Sequence, residues 1–524
     1  MTKYLIGRIL RALLSVIIVV GVIMVMVYSL LDKQSIFASD PNFTKVKLNG
    51  RQEYMMQQWE NFGYLEYIPY SDYLLEELQA GNITQETYDA AVRLGKTEAE
   101  DSAETKQFIQ KFKEKYEAEG YKMERLKGQT KPNSKKYKDG GQPVLYVYKD
   151  IPVISRLFTY FTRLFTVDNI HKAENVEGER GLTFTLYDPV YGGEKFSPAI
   201  MGNGTTHKYL LYFDDTFPYI HQNLLTISLG KSYSVNKGID VFNTMTDTQG
   251  ALEFSTVHYP SGVVEDTADD LHTATYIAGS RNNGALNQRY YVDDYTSVIT
   301  AKDGMSKMGY SFIIGIISVI MAYLIAVPMG IAMALKKDKF IDKLGTFYII
   351  FIMAVPSLGY IFIFRAVGNA AGLPSTFNMN DPTWLMYILP IISLALPSIA
   401  NLMKWLRRYM IDQMNSDYVK FARSGGLSEG EIFSKHILKN AIIPVVHGIP
   451  GSVLGAMTGA IITERVYVVP GIGNVLTTAI NAYDNGVIVG VTLFYALLSV
   501  TSVILGDVLM SVMDPRISFT SKAR

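Results

Sequence analysis

The sequence predicts a mainly α-helical membrane protein with six transmembrane helices and an α+β soluble domain inserted between helices 1 and 2. Three observations predict this class. The 524 residues are 48% hydrophobic and 19% charged, and the charged share is below the ~25% that is typical of soluble domains. Long apolar stretches are confined to the N-terminus and to the part of the chain after residue 305. The block between them has the composition of a water-soluble domain.

Composition also excludes several functions. Cysteine is absent, which excludes disulfides, zinc–thiolate sites, iron–sulfur clusters and cysteine nucleophiles. The 49 Lys and Arg balance the 49 Asp and Glu, whereas a nucleic-acid partner usually requires a basic domain. Gly230-Lys231-Ser232 imitates the end of a P-loop, but Leu225 stands where its first glycine belongs. We therefore expect no nucleic-acid partner, and no cofactor bound by this chain.

The first transmembrane helix is predicted over residues 12–31. These residues carry no charge, and at 1.5 Å per residue they are long enough to cross a hydrocarbon layer of ~30 Å. A cleaved signal peptide is the alternative, because Lys3, Arg8 and Arg11 precede the apolar stretch. The apolar region of a signal peptide usually spans ~7–15 residues, which favours a retained helix and a first domain over residues 1–31.

Residues 32–305 form the predicted soluble domain, with 29 Lys and Arg against 38 Asp and Glu. Strands are predicted at 143–148, 182–187 and 208–213, and helices across 84–126 and 154–166. The last segment places its apolar residues on one face. This pattern fits a helix in the membrane interface or a helix packed on the core of the domain. The histidines lack metal-ligand spacing, so we predict no metal site; they are His171, His207, His221, His258 and His272.

Five further spans are predicted in a membrane domain over residues 306–524. They cover 310–335, 344–364, 385–403, 441–463 and 487–512. Residues 1–11, 336–343, 404–439 and the segment after 512 together carry 17 Lys and Arg, while the loops 367–384 and 466–486 carry none. Because basic loops stay on the cytoplasmic side, both termini are predicted in the cytoplasm. Residues 32–305 are then extracellular, in a multi-pass protein of the cell membrane.

Polar groups are rare inside the predicted spans. Arg365, Glu464 and Arg465 lie near the predicted outer ends, and Asp507 lies near the inner end of the last span. A proton-coupled carrier usually buries carboxylates or histidines at mid-membrane, a signature that is weak here. Asp507 has two interpretations, as a structural partner of a neighbouring helix or as part of a proton relay.

Two groups of residues predict special helix geometry. The first consists of prolines inside or beside spans, which create kinks that serve either as hinges or as static packing features: Pro328, Pro356, Pro390 and Pro397. The second consists of glycines spaced four residues apart on one face, which permits close helix approach: Gly451, Gly455 and Gly459. We predict that this glycine face meets another helix.

The loop 404–440 carries the most informative pattern. Asp417–Ser424 is predicted as a short helix that Gly425-Gly426 ends, because glycine tolerates the left-handed conformation that closes helices. Ser428 and Glu431 have the spacing of a capping box, which predicts a second helix running into the next span. A helix, a glycine hinge and a helix form a protruding element that suits docking on a partner. The alternative is an ordinary basic connector.

This loop, DYVKFARSGGLSEGEIFSKHILKNAIIP, resembles the EAA loop of ABC-importer permeases in their oligopeptide and dipeptide branch. Lys420, Phe421, His436 and Lys439 depart from the general EAA consensus, whereas Ala422, Gly426 and Leu438 match it. Further matches occur in the same order along the chain: Leu389-Pro390, Ala395-Leu396-Pro397, the motif from Thr463-Glu464 to Gly473, and Asp514-Pro515-Arg516-Ile517. The large block 32–305 is similar to that of the Ami-type oligopeptide permeases of Gram-positive bacteria.

The resemblance implies the type I ABC importer permease fold and a transport subunit that is not itself an enzyme. It implies a second homologous permease, two cytoplasmic ATPases that use ATP and Mg²⁺, a lipid-anchored oligopeptide-binding protein and a peptide substrate. The predicted coupling residues are Lys420, Phe421, Ala422, Arg423, Gly425, Gly426, Ser428 and Glu431. Dipeptides or nickel are alternative cargoes within the same family. A membrane-anchored extracellular enzyme or sensor, or a secondary transporter, is the alternative outside it.

Overall fold

The computed structural model describes most of the chain in several ranges. They are 2–47, 49–128, 141–167, 182–187, 192–194, 196–202, 208–213, 220–222, 225–248, 250–258, 264–276, 295–300, 304–379 and 383–513. The described chain divides into two compact units. The α/β unit comprises Ile23–Arg163 and Ala482–Asn485, and the helical unit comprises Met1–Val22, Leu164–Asn481 and Gly486–Arg524. The boundaries predicted at 31/32 and 305/306 stay predictions, because this division follows compactness and not position relative to a membrane.

The α/β unit begins within the long first helix and continues through short helices to a small sheet. Its helices are α1 (Thr2–Leu30, from Ile23 onward), α2 (Pro41–Lys45), α3 (Asn49–Asn61), α4 (Tyr70–Gln79), α5 (Gln85–Ala91), α6 (Ala103–Ala118) and α7 (Val153–Thr162), with 3₁₀ turns at Ser35–Phe37 and Glu98–Glu100. Strands β1 (Leu65–Pro69), β2 (Lys122–Leu126) and β3 (Val144–Asp150) form an antiparallel sheet in the order β1-β3-β2.

The core of this unit lies between the sheet and helices α4 to α6. On α6, Phe108, Phe112 and Tyr116 recur every fourth residue and are buried, which gives the helix one apolar face. Ser102 caps the start of α6 by accepting a hydrogen bond from the Thr105 backbone N–H. The central strand β3 contributes Leu145 and Val147 to the same core. The helix–sheet packing therefore follows directly from the apolar periodicity of these segments.

The helical unit also contains short antiparallel sheets. Strands β4 (Phe165–Val167) and β9 (Leu225–Ile227) pair, β5 (Leu182–Tyr187), β6 (Phe196–Gly202), β7 (Lys208–Phe213) and β8 (Ile220–Gln222) form a four-stranded sheet, and β10 (Ser255–His258) pairs with β11 (Val264–Thr267). Strand β12 (Asp269–Tyr276) pairs with β13 (Tyr295–Thr300). The predicted strands at 143–148, 182–187 and 208–213 are therefore present.

Helices of different lengths make up the rest of the described helical unit. They are α8 (Val241–Thr246), α9 (Lys307–Leu335), α10 (Phe340–Ala354), α11 (Ser357–Ala370), α12 (Ile388–Met414), α13 (Asp417–Ser424), α14 (Glu429–Glu431), α15 (Lys439–His447), α16 (Ile449–Tyr467), α17 (Ile472–Asn481) and α18 (Asn485–Met513, from Gly486 onward), with a 3₁₀ turn at Trp384–Tyr387 and a π-helix at Ile432–Leu438. Their apolar core combines residues of α9 to α12 and α16, including Ile314, Ala326, Ala395 and Ala460.

Among the described residues, four helices are long and apolar enough to cross a membrane: Ile6–Leu30, Lys307–Leu335, Trp384–Met414 and Asn485–Met513. Two bent pairs raise the number to as many as six if each pair is one span. The pair α10 and α11 meets at 109°, and Glu429–His447 with Ile449–Tyr467 meets at 41°. The predicted span 344–364 is therefore two helices joined at a sharp bend, and the total of six stays a prediction.

Two sequence predictions in the soluble block are wrong at their C-terminal ends. The helical prediction for 84–126 fails at strand β2, because Gly120 adopts a left-handed φ of 86° after α6 and redirects the chain into the sheet. The prediction for 154–166 fails after Thr162, where Phe165–Val167 pairs with β9. Aromatic and β-branched residues are common in strands, and here backbone pairing decides the conformation.

Candidate functional site

The loop 404–440 contains the short helix that the sequence predicts. Helix α13 spans Asp417–Ser424, with the predicted boundaries. Its inward face contributes Val419, which is fully buried, and Ala422, which is 9% exposed. On the opposite face the Phe421 ring is 79% exposed. The helix is thus attached on one side and presents an aromatic side chain on the other.

The glycine pair ends α13 in a Schellman arrangement. The Leu427 N–H donates to the Ala422 carbonyl at 3.3 Å, and the Gly426 N–H donates to the Arg423 carbonyl at 3.1 Å. Gly426 has a left-handed φ of 84°, whereas Gly425 has an ordinary φ of −76°. The left-handed conformation that the sequence predicts for this pair is therefore required at Gly426 alone.

The capping box predicted after the glycine pair is also present. The Ser428 hydroxyl accepts a hydrogen bond from the Glu431 N–H, and the Glu431 carboxylate accepts one from the Ser428 N–H at 3.2 Å. Arg423 pairs with Glu429 through two contacts, of 2.6 Å and 3.1 Å. This pair joins the two sides of the glycine turn, and so it fixes α13 relative to α14.

The second helix differs from the prediction in its winding. After α14 the chain forms a π-helix over Ile432–Leu438 before α15 continues toward the next apolar helix. Such segments are rare and frequently occur at functional sites. Tyr418 joins α13 to this region, because its hydroxyl donates to the Gln413 side chain at 2.5 Å and accepts from Asn440 at 3.1 Å. The sequence analysis did not single out Tyr418 or the π-helix.

A buried apolar cluster fixes the loop to the long helices, and we call it the loop core. Its residues come from α9, α12, α13, the π-helix and α15: Ala334, Leu406, Met410, Val419, Ala422, Ile432, Ile437, Ala441 and Val445. Close packing makes such clusters transmit displacement rather than absorb it. A force on α13 is therefore delivered to the long helices that share this core.

An ion pair that the sequence analysis missed lies beside the loop core. Arg407 of α12 donates two hydrogen bonds to Asp342 of α10, at 2.6 Å and 2.7 Å. The Asp342 side chain is 4% exposed, and it also accepts the Asp338 N–H at 2.9 Å. Bidentate arginine–carboxylate pairs fix orientation as well as distance. This pair holds α10 against the helix that leads into the loop.

The exposed face of α13 has fixed charges. The hydrogen bond from Lys420, at 2.9 Å, lowers the pKa of the Asp417 carboxyl. The hydrogen bond to Glu429 raises the pKa of the Arg423 guanidinium. Both pKa values move further from neutral pH. Asp417 therefore keeps its negative charge and Arg423 its positive charge beside Phe421 under physiological conditions.

The predicted prolines lie at different positions within or beside the helices. Pro328 and Pro397 are inside α9 and α12, where each removes a backbone hydrogen bond. Pro356 caps α11 at the 109° bend. Pro390 lies in the first turn of α12, where proline is tolerated. Their role as hinges stays a prediction.

The predicted glycine face lies on α16. Cβ atoms added at Gly451 and Gly455 would have no described atom within 4 Å, and both residues are exposed. Gly459 is on the same helix, but its surroundings are outside the described residues. Within the described chain this face is open at Gly451 and Gly455, and its contact with another helix stays a prediction.

The motif around Glu464 forms a buried polar network. Glu464 is fully buried and accepts hydrogen bonds from the Ser311 hydroxyl at 2.6 Å and the Asn474 N–H at 3.1 Å. The Ser311 hydroxyl in turn accepts the Ile472 N–H at 2.9 Å. A Cβ at Gly473 would come within 2.6–2.8 Å of its neighbours. The glycines of the motif thus let α17 approach the Glu464 carboxylate closely.

Asp507 has the structural partner that one of its two interpretations requires. The Arg8 guanidinium of α1 lies 2.6 Å from an Asp507 carboxylate oxygen of α18. The two residues belong to the first and last of the candidate spans. An interhelical ion pair compensates a charge that is costly inside a membrane.

Two sets of positions named in the sequence analysis lie outside the described residues. Among the described residues, no group of three or more His, Asp or Glu is arranged to hold a metal ion. The side chains of the five histidines named above are outside the described residues, as is the segment 514–517.

Known proteins resemble this chain either over its whole length or over its C-terminal part. Residues 326–519 match the family model described as "Binding-protein-dependent transport system inner membrane component". The oligopeptide transport system permease protein AmiC of Streptococcus pneumoniae is 33% identical over 529 residues, covering 100% of this chain and 99% of that protein. The dipeptide transport system permease protein DppB of Lactococcus lactis subsp. cremoris is 30% identical over 217 residues, covering 40% of this chain and 69% of that protein.

The class is therefore the membrane component of a binding-protein-dependent transport system. More narrowly, the chain belongs to the Ami/Opp-type oligopeptide permeases of ABC importers. Among solved structures, the MetNI methionine ABC transporter matches 39% of this chain and 93% of its own, with 11% identity and a TM-score of 0.32. An amino acid ABC transporter matches 40% of this chain with 18% identity and a TM-score of 0.31.

Proposed function

We propose that this chain is a transmembrane permease subunit of an ATP-driven oligopeptide importer and that loop 404–440 couples it to cytoplasmic ATPases. The observation that carries the proposal is the two-sided arrangement of α13. Val419 and Ala422 are buried in the loop core while Phe421 is 79% exposed beside Lys420. Apolar aromatic side chains at the centre of an interface commonly anchor it. ATP and Mg²⁺ are used by the partner ATPases and not by this chain.

Coupling requires that the loop contact the ATPases differently in their two states, because a ligand shifts an equilibrium only through differential affinity. In the proposed mechanism ATP binding closes the ATPases and displaces α13. The loop core and the Asp342–Arg407 pair then transmit the displacement to α9, α10 and α12. The long helices rock, and the path formed with a second homologous permease opens outward.

The test replaces Phe421 by alanine in the assembled complex. We expect peptide-stimulated ATP hydrolysis and peptide uptake to fall together, because the anchor between loop and ATPase is lost. Phe340→Ala is the matched control, since Phe340 is the same residue type and is 77% exposed at the start of α10. Equal activity of the two variants would contradict the coupling assignment.

A second permease is proposed to cover the open glycine face of α16. Gly455→Leu fills open space in this chain, so we expect the chain to insert and fold while the complex with the second permease is lost. Gly7→Leu is a control outside that face and outside loop 404–440, because a Cβ at Gly7 also has no described atom within 4 Å. Co-purification of the partner subunits measures the effect. Undiminished recovery with Gly455→Leu would place the partner elsewhere.

The proposed orientation has both termini in the cytoplasm and residues 32–305 outside, where they would meet a lipid-anchored peptide-binding protein. Oligopeptides are favoured as cargo because AmiC aligns over the whole chain, including this block, whereas DppB covers 40%. Uptake of labelled oligopeptides, dipeptides and nickel ions by cells with and without this chain tests the cargo. Preferential loss of dipeptide or nickel uptake would replace the oligopeptide proposal.

A further inference from the structure

Helix α7, Val153–Thr162, is amphipathic, but the part of its apolar face formed by Ile154 and Phe158 is not covered. None of its residues is buried. Ile154 is 80% exposed and Phe158 is 71% exposed, and residues four apart lie on one face of a helix. The structure therefore does not support the interpretation that this segment packs on the core of its own domain.

The opposite face of α7 is attached to the end of the first candidate span. The Arg156 guanidinium lies 3.7 Å from the centre of the Tyr28 ring and 3.9 Å from the centre of the Tyr64 ring. Tyr28 is in the last turn of α1, which ends at Leu30. Both tyrosine rings also contact each other edge to face, with centres 5.5 Å apart. A guanidinium between two aromatic rings is a favourable cation–π arrangement.

The beginning of a second candidate span contacts the same tyrosine, Tyr64. The Asn485 side chain donates to the Tyr64 hydroxyl at 2.6 Å, and Asn485 is the first residue of the span Asn485–Met513. Tyr64 is thus held by the end of one candidate span and by the beginning of another. Tyrosines are enriched where membrane helices enter the interface. Arg156 therefore attaches α7 at the level where two spans leave the hydrocarbon layer.

We propose that α7 lies in the interface of the bilayer on the side of the α/β unit, with Ile154 and Phe158 in contact with lipid. At about 100° per residue, Arg156 lies about 160° around the helix from each of these two side chains. Because Arg156 points to the span ends, the apolar face points away from the unit. Ser155 and Thr159 occupy a third, exposed polar face. One attached, one apolar and one polar face are typical of helices that lie in the membrane plane.

The chain is suited to a direct test because it contains no cysteine. Four single-cysteine variants of the full chain carry a nitroxide spin label: Ile154→Cys, Phe158→Cys, Ser155→Cys and Thr159→Cys. All four positions are exposed, so none removes a core contact. The labelled chain is reconstituted in nanodiscs of phosphatidylcholine and phosphatidylglycerol. Collision of each label with oxygen, which concentrates in lipid, and with a water-soluble paramagnetic chelate is measured by electron paramagnetic resonance.

The expected result is an oxygen-to-chelate accessibility ratio several-fold higher at 154 and 158 than at 155 and 159. Equal ratios at all four positions would mean that the apolar face is in water, and the proposal would be wrong. Labels at 154 and 158 that are shielded from both reagents would mean that a protein surface covers the face, which also overturns it. The measurement uses no peptide or ATPase, so its outcome is independent of the proposed function.

Discussion

The α/β unit and the loop region each contain a bidentate aspartate–arginine pair, but the two pairs have different surroundings. In the α/β unit, Arg125 of β2 binds Asp101 at 2.6 Å and 2.9 Å, and both side chains are at most 7% exposed. In the helical unit, the Asp342–Arg407 pair has similar distances, but Arg407 is 27% exposed. The first pair closes a core, whereas the second lies beside an element with an exposed face.

Under the proposed mechanism, the same contact serves stability in one region and transmission in the other. Asp101 also accepts the Gly95 N–H, and Arg125 donates to the Gly95 carbonyl. These bonds tie strand β2 to the segment before α6. Arg407, in contrast, is adjacent in sequence to Leu406 of the loop core, on the helix that continues into α13. Breaking each pair should therefore affect different measurements.

The largest expected effect is the loss of Arg125. Arg125→Met leaves Asp101 buried without its cation, and breaking a buried pair in this way costs ~3–5 kcal/mol. We expect the backbone amides of β1, β2 and β3 to exchange hydrogen much faster in the full chain. The long helices of the helical unit should exchange as before. Hydrogen exchange followed by mass spectrometry makes both measurements in one sample.

The matched control is the exposed pair Lys33–Asp150, whose side chains are 38% and 55% exposed. Exposed pairs contribute ~0–1 kcal/mol, so Lys33→Ala should leave exchange in the sheet nearly unchanged. If Lys33→Ala and Arg125→Met had equal effects, burial would not be what distinguishes the two pairs.

The Asp101–Arg125 pair also predicts a pH dependence. Burial by itself raises the pKa of Asp101, but hydrogen bonds from Arg125 and from the Gly95 N–H outweigh it and lower the pKa. A folded pKa below the unfolded value of ~3.9 gives stability that is present above that value and is lost as the pH falls through the folded pKa. In Arg125→Met, burial still raises the pKa of Asp101, but the hydrogen bonds from the arginine that lower it are lost. The destabilisation by this variant should therefore be larger at neutral pH than at ~pH 4. Hydrogen exchange of the sheet amides, measured at both pH values, tests this expectation.

The Asp342–Arg407 pair should have a smaller effect on stability and a larger effect on coupling. Removing one partner of a hydrogen bond to a charged group costs ~1.5–3 kcal/mol, and the partial exposure of Arg407 lets water compensate. Arg407→Met should therefore leave the complex assembled while peptide-stimulated ATP hydrolysis no longer tracks uptake. Peptide-stimulated ATP hydrolysis and peptide uptake, measured in the same proteoliposomes, give the uptake per ATP.

Arg408→Met is the control for this change, because Arg408 is 67% exposed and lies 4.0 Å from Asp412 on the surface of the same helix. We expect its uptake per ATP to equal that of the unchanged chain. A drop of equal size in both variants would indicate a general effect of basic charge on the helix, and the transmission role of Arg407 would have to be abandoned.

How far the sequence predicts this site depends on the distance over which each signal acts. The helix Asp417–Ser424, its glycine stop and the Ser428–Glu431 capping box depend on residues within a few positions of each other, and all three were predicted with the observed boundaries. The pairs Asp101–Arg125 and Asp342–Arg407 join residues 24 and 65 positions apart. No local pattern specifies such partners, because packing of separate elements brings them together.

The membrane helices show the same limit. Hydropathy located the apolar segments, and the kink predicted at Pro356 is present between α10 and α11. The angle of 109° was not predicted, because hydropathy carries no information on direction. The amphipathic pattern of α7 likewise predicted a helix with one apolar face. Which surface this face meets depends on Arg156, Tyr28 and Tyr64, which are distant in sequence.

The smallest effect distinguishes the two glycines of the loop. Gly426 has a left-handed φ of 84° and Gly425 does not, and a side chain in the left-handed region costs ~1–2 kcal/mol. Gly426→Ala should therefore reduce peptide-stimulated ATP hydrolysis, whereas Gly425→Ala should not, and Gly426→Asn should be intermediate because asparagine tolerates this conformation. The graded order tests backbone geometry at constant surface charge. If Gly425→Ala were the more harmful change, contact with a partner and not the Schellman turn would be the reason for glycine at this hinge.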